Sequence, residues 1–88
     1  MRFPLGTITV SLTAASALAA WNLHLFALLT RHGQGDSGVS PLSDAEDAIK
    51  DGKEVFSAYE LPGTKAYVCI STEPNRSATS VILSTEDY

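Results

Sequence analysis

Among the 88 residues, the pair best suited to chemistry is His32 with Asp36, an imidazole and a carboxylate four positions apart beside the glycine-rich run HGQGDSG. Such a pair is the raw material of acid–base catalysis or of half a metal site. His24 is the only other histidine, however, and metal sites of this kind use three or four ligands. The spacing therefore favours a structural assignment, with His32 closing a helix C-terminus and Asp36 holding loop amides. A small enzyme or metal protein built on His32 and Asp36 stands as the competing class.

The other reactive groups fare no better. Cys69 lies between Val68 and Ile70 in a strand-like run and reads as a buried, inert thiol, since a nucleophilic cysteine needs an exposed electropositive setting. Gly33, Gly35 and Gly38 lack the Gly-Lys-Ser/Thr of a phosphate loop, and Asp36 would repel a phosphate. Glu73 and Arg76 flank a turn and are placed to pair across it; Arg76 is alternatively a grip for a partner. The pattern assigns no catalytic residue, no metal ligand and no cofactor.

Charge says more than any motif. The net charge is -4, and residues 36–60 carry seven acids (Asp36, Asp44, Glu46, Asp47, Asp51, Glu54 and Glu60) against two lysines. A chain that gained affinity by displacing counterions from phosphates would need a basic stripe, so direct nucleic-acid binding is not expected. An acidic face suits a protein partner with a basic surface, because complementary charge speeds encounter and fixes register. Asp36, Asp44, Glu46, Asp47, Asp51, Glu54 and Arg76 are the candidate partner-binding residues.

The elements that must carry these groups are legible from patterning. Residues 5–10 are rich in Thr, Ile and Val and form a short first strand. Leu18, Trp21, Leu25, Leu28 and Leu29 follow helical spacing and share one side, with His24 and Arg31 off it; Asn22 marks a point where one long helix or two short ones are equally consistent. The three glycines end this layer. An acidic helix over residues 43–51 follows, with Ser43 and Glu46 as a capping box and Gly52 at its exit. From residue 53 onward come three strands joined by Leu61-Pro62-Gly63-Thr64, with Gly63 as the positive-φ residue of a type II turn, and by Glu73-Pro74-Asn75-Arg76, with Asn75 in that role. That makes an antiparallel meander with Phe56, Ala58, Val68, Ile70, Val81 and Leu83 on one face and Val55, Tyr59, Tyr67, Cys69 and Ile82 on the other. Helices cover one face, and the first strand or a partner shields part of the other.

The uncharged stretch over residues 11–30 also raises export and membrane readings. Pro4 and Gly6 come too early for a signal, the apolar run continues past any small-residue cleavage site, and a single cysteine provides no disulfide framework for an exported small domain. Ser11, Thr13, Ser16, Asn22, His24 and Thr30 interrupt a span, with Asn22 and His24 near the hydrocarbon midplane. A helical layer in water, in the cytoplasm, is the reading the residues favour.

Several short motifs, taken together, resemble a family of small proteins of unknown function borne on plasmids, prophages and genomic islands, labelled "plasmid-related protein" or "type I restriction endonuclease subunit". The matching positions are Phe3-Pro4-Leu5-Gly6 with Ile8, Ala14 with Ala17-Leu18, Leu29 with Arg31-His32, Gly35-Asp36 with Gly38, Ser57-Ala58-Tyr59, Gly63-Thr64-Lys65, Thr72-Glu73, Arg76-Ser77-Ala78-Thr79 and Tyr88. Ser37 stands where the family has Trp, Ala19-Ala20 where it has acids, and Pro74-Asn75 where it has Ala-Asp. The resemblance implies a retained N-terminal segment folded as a soluble helical layer, and a divergent member.

The expectation is thus one α+β domain, β-α(α)-α-β-β-β, with residues 1–52 forming a strand and helical layer and residues 53–88 the meander. Its expected role is non-catalytic binding of a host or defence-system protein with a basic, nucleic-acid-handling surface. Inhibition of a nuclease, as anti-CRISPR proteins do, is the sharpest version. No membrane is involved, and a homodimer that buries a sheet face is the structural alternative.

Overall fold

The β-branched and aromatic runs become strands, and the Ala- and Leu-rich runs become helices. In the computed structural model, which describes residues 2–39 and 42–84 but not the side chains of residues 42–45, the order is β1 (Thr7–Val10), α1 (Leu12–Ala20), α2 (Leu25–Gly33), α3 (Leu42–Asp51), β2 (Val55–Glu60), β3 (Tyr67–Thr72) and β4 (Ala78–Leu83). This is the expected α+β arrangement. The sheet order is β1-β4-β3-β2, with the last three strands forming the antiparallel meander and β1 parallel to β4 in the register Thr7 to Ala78. Adding β1 at the edge makes the sheet mixed. It extends the sheet and does not cover the open face, which corrects that part of the sequence reading.

Asn22 decides the helical layer in favour of two helices. Ser11 caps α1 by accepting the amide of Ala14 at 3.1 Å. At the other end Asn22 adopts φ 55, the Asn22 amide reaches Ala19 O at 3.2 Å, and the Leu23 amide reaches Leu18 O at 2.9 Å. That is the Schellman termination, with Leu18 and Leu23 supplying its apolar contact. The reversal turns Trp21 outward to 42 % exposure, so it does not share the core-facing side with Leu18, Leu28 and Leu29 as its spacing suggested. No single helix among the described residues is long and apolar enough to cross a membrane; α1 and α2 together would be, but they bend by 109° at this break. The α3 exit repeats the device, with Gly52 at φ 68 and the Lys53 amide on Ala48 O at 2.9 Å. Ser43 of the expected capping box lies outside the described side chains, as does Asp44, and Tyr88 lies outside the described residues.

The Leu61–Thr64 turn closes as its sequence demands, with the Thr64 amide on Leu61 O at 3.1 Å and Gly63 at φ 77. In the second turn the positive φ falls on Arg76 (φ 60) and not on Asn75. The bond from Glu73 N to Ala78 O encloses four residues, 74–77, two more than a two-residue hairpin turn, and Asn75 instead accepts the Ser77 amide through its side chain at 3.0 Å.

The helices cover one face, where Ala14, Leu18, Leu28 and Leu29 meet Val55, Val68, Ile70 and Val81. The β2 phase is opposite to the hydrophobicity-based assignment: Val55, Ser57 and Tyr59 point to the core, and Phe56 and Ala58 to the open side. Polar Ser57 and Tyr59 are admitted to the interior because each finds a partner there.

Residues 37–39 run along the outer edge of β2. Ala58 N donates to Ser37 O at 3.1 Å, and Val39 N donates to Ala58 O at 2.8 Å. Gly38, at φ 67, approaches so closely that a Cβ there would stand 2.1 Å from Ala58 O. Replacing Gly38 with Ala should therefore lower unfolding free energy in urea by more than about 2 kcal/mol, through strain plus clash. Gly63→Ala, whose added Cβ would meet only Trp21 at 4.0 Å, should lose roughly half as much or less. Equal losses would contradict the steric account.

Candidate functional site

Three places concentrate polar or exposed apolar groups, and His32 belongs to the first. It occupies the fourth position of the stripe Leu25, Leu28, Leu29, His32 on α2, so the helix drives it into the core, where it is 0 % exposed. Nδ1 meets Ser57 Oγ at 2.6 Å, and Nε2 meets Thr72 Oγ1 at 2.8 Å. Thr72 Oγ1 in turn meets Thr79 Oγ1 at 2.8 Å, and Thr79 Oγ1 donates to Leu5 O at 2.7 Å. Proton accounting fixes the direction of the whole chain. A hydroxyl has one proton, and that of Thr79 is given to Leu5 O, so Thr72 donates to Thr79. His32 must then donate from Nε2 to Thr72, and Ser57 donates to Nδ1. The neutral Nε2–H tautomer satisfies every group, and no buried side-chain polar atom among the described residues lacks a partner.

Both ring nitrogens of His32 are taken up by Ser57 and Thr72. It does not close the helix with its side chain, and it is not paired with Asp36. Asp36 instead takes Arg31 Nε at 2.6 Å and the Gly38 amide at 3.1 Å, the loop-amide role expected of it. The Arg31 guanidinium holds the Asp36 carboxyl below the usual carboxylate range, aided by the Gly38 amide. Among the described residues no three His, Cys, Asp or Glu side chains are grouped as metal ligands.

Arg31 and Tyr59 lead to the second place. The Arg31 guanidinium sits 4.6 Å over the Tyr59 ring, whose hydroxyl donates to Asp36 O at 2.5 Å. Burial raises the Tyr59 hydroxyl pKa. Together with Leu23, Val39 and Pro62 these residues line a shallow groove of about 340 Å³.

The third place is the open sheet face. Phe56, Cys69, Ser71 and Ile82 line a depression of about 490 Å³ whose rim carries Glu54 and Glu73. Phe56 is 37 % exposed, while burial pushes the Cys69 thiol pKa up, away from the thiolate. The sequence grouped Phe56 with Val68, Ile70 and Val81 on one face; it lies on the opposite face, because Val55, Ser57 and Tyr59 turn inward.

The arginines are all used internally. Arg2 forms a two-pronged pair with Glu46, one arm measuring 2.9 Å. Arg31 pairs with Asp36. Arg76 does not pair with the Glu73 carboxylate across the turn. Its guanidinium donates to Lys53 O at 2.6 Å and to Ala48 O at 3.2 Å, carbonyls at the α3 exit, and lies 5.2 Å over the Phe3 ring. Glu73 accepts from the Ser77 hydroxyl instead. Of the candidate partner-binding residues, Asp36, Glu46 and Arg76 thus have internal partners. Asp47, Asp51 and Glu54 are exposed and engaged in no ion pair among the described residues. No family model, curated protein or solved structure matches the chain.

Burial, with a smaller contribution from Arg76, lowers the His32 pKa from 6.5 to about 4. The unfolded chain therefore takes up a proton between those values that the folded chain refuses. Stability is complete above about pH 6.5 and falls as pH drops to about 4, by about 3 kcal/mol in total. His32→Ala should destabilise by at least about 3 kcal/mol, by opening a cavity and orphaning the Ser57 hydroxyl. Replacing His32, Ser57 and Thr72 together with Leu, Ala and Val should recover part of that loss and remove the slope between pH 6.5 and 4.5 in denaturant titrations. A triple variant retaining the slope would assign it to other groups.

Proposed function

We propose that this chain is a non-catalytic protein-binding module whose acidic surface docks on a basic, nucleic-acid-handling protein and blocks it. The observation that carries the reading is the internal use of all three arginines, two by carboxylates and one by carbonyls. What the chain offers outward near α3 and β2 is then Asp47, Asp51 and Glu54, in excess of the exposed Lys50 and Lys53, with Glu73 across the open face from Glu54. Glu54 and Glu73 rim the apolar floor of Phe56 and Ile82, a combination of apolar centre and polar border typical of protein interfaces. The partner is a protein whose cationic groove normally takes a phosphate backbone, which an acidic surface mimics. The resemblance to plasmid- and prophage-borne proteins favours a defence nuclease as that partner, an anti-CRISPR-like role, and action inside the cell.

The competing enzyme on His32 and Asp36 draws no support from the geometry, since His32 is enclosed and Asp36 faces Arg31. Affinity capture from bacterial lysate, followed by a nuclease assay on the recovered partner, tests the proposal. The expected result is inhibition that weakens with added salt and falls roughly tenfold or more when Asp47, Asp51 and Glu54 are all changed to Lys. Inhibition indifferent to that reversal, or recovery of partners with no basic nucleic-acid surface, would overturn it.

A further inference from the structure

The two edges of the sheet are unlike. Along β2, residues 37–39 occupy the outer side and satisfy the Ala58 amide and carbonyl. Along β1, no described segment lies beyond the strand. Thr7 N donates to Ser77 O and Ser11 N to Val81 O, both at 3.0 Å, so the odd-numbered residues address β4. The amides and carbonyls of Ile8 and Val10 therefore point away from β4, out of the sheet. None of the usual guards stands on this edge: the strand Thr-Ile-Thr-Val contains no lysine, no proline and no bulge.

We propose that β1 is the edge along which two copies of this chain pair antiparallel, fusing their sheets into one. The outward groups sit on residues two apart, and so the edge is complementary to itself. With a two-fold axis at Thr9, the Ile8 amide and carbonyl exchange hydrogen bonds with Val10 of the second copy, and Val10 with its Ile8. Thr9 faces Thr9 across the axis as a non-hydrogen-bonded pair, with Cα atoms about 4.5 Å apart. Ile8, 40 % exposed, gains a β-branched neighbour in Val10 of the second copy.

Charge selects a second copy as the occupant. Residues 3–30 contain no Asp, Glu, Lys or Arg, in a chain of net charge -4. The open face, with Glu54 and Glu73 at its rim, repels its own kind, whereas the β1 flank does not. This edge pairing differs from dimerisation through a sheet face, and it stands independently of the acidic docking surface, with which it shares no residue.

Sedimentation equilibrium of the full chain should give twice the 9.3 kDa chain mass. Thr9→Lys, which sets like charges on the axis at an exposed position of the open side, should halve that mass while leaving circular dichroism unchanged, and should remove the concentration dependence of the melting temperature. Thr9→Cys, oxidised with oxidised glutathione, should yield a disulfide-linked dimer, because the facing Cα atoms are within disulfide range. Thr7→Cys, far from its own copy in this register, should not. A wild-type monomer, a dimer that survives Thr9→Lys, or equal cross-linking at positions 7 and 9 would overturn the proposal. So would a monomer that floats with neutral phosphatidylcholine vesicles, which would assign the flank to lipid.

Discussion

One hydrogen-bonded relay ties the molecule together. It runs from Ser57 on β2 through His32 on α2 to Thr72 on β3 and Thr79 on β4, and ends on the Leu5 carbonyl just ahead of β1. Each hydroxyl gives its proton onward, so the relay has a single direction and no spare donor. Inside a low-dielectric core, hydrogen bonds aligned in this way polarise one another, and breaking one leaves its neighbour costly to bury. A chain of this length buries a modest apolar core, and a polar network that is fully satisfied adds specificity that Leu and Val alone do not. The N-terminal residues belong to the same assembly: Phe3 is 5.4 Å from the His32 ring, edge to face, and its other neighbour is the Arg76 guanidinium. Arg2 closes it by donating its amide to Gly33 O at 2.7 Å, at the end of α2.

This internal wiring determines what the surface shows. Cations that composition alone would count as free are spent on helix ends and loops: Arg2 on α3, Arg31 on the loop after α2, and Arg76 on the carbonyls where α3 stops. Arg2 and Arg31 each take one carboxylate with them, so the excess acid shows at Asp47, Asp51 and Glu54, interspersed with Lys50 and Lys53. The uncharged flank of β1 and α1 lies apart from it, and the two surfaces fit different kinds of contact.

Most elements were legible in the sequence because their signals are local. Pro62-Gly63 wrote the first turn, Gly52 the exit of α3, and the β-branched runs the strands. What escaped was decided by pairings between residues far apart in the chain. His32 continues the i, i+3, i+4, i+7 stripe begun by Leu25, which marks it as interior; its proximity to Asp36 in sequence drew attention to the wrong partner. The β2 phase was misread because hydrophobicity ranks Phe56 and Ala58 above Ser57, and nothing within the strand reveals that Ser57 has an imidazole waiting for it. Trp21 was lost to a backbone reversal at Asn22 that periodicity alone does not register. In the second turn the αL residue is Arg76, whose side chain is held by carbonyls of another element.

The parallel pairing of β1 with β4 bears on how the chain is born. The bond from Thr79 to the Leu5 carbonyl spans 74 residues, so β1 can take its place only after β4 has left the ribosome. Closing so long a loop is entropically unfavourable and slow. Until then residues 3–30, which carry no Asp, Glu, Lys or Arg, stay without their sheet, in the state most prone to sticking to chaperones, to lipid or to neighbouring nascent chains.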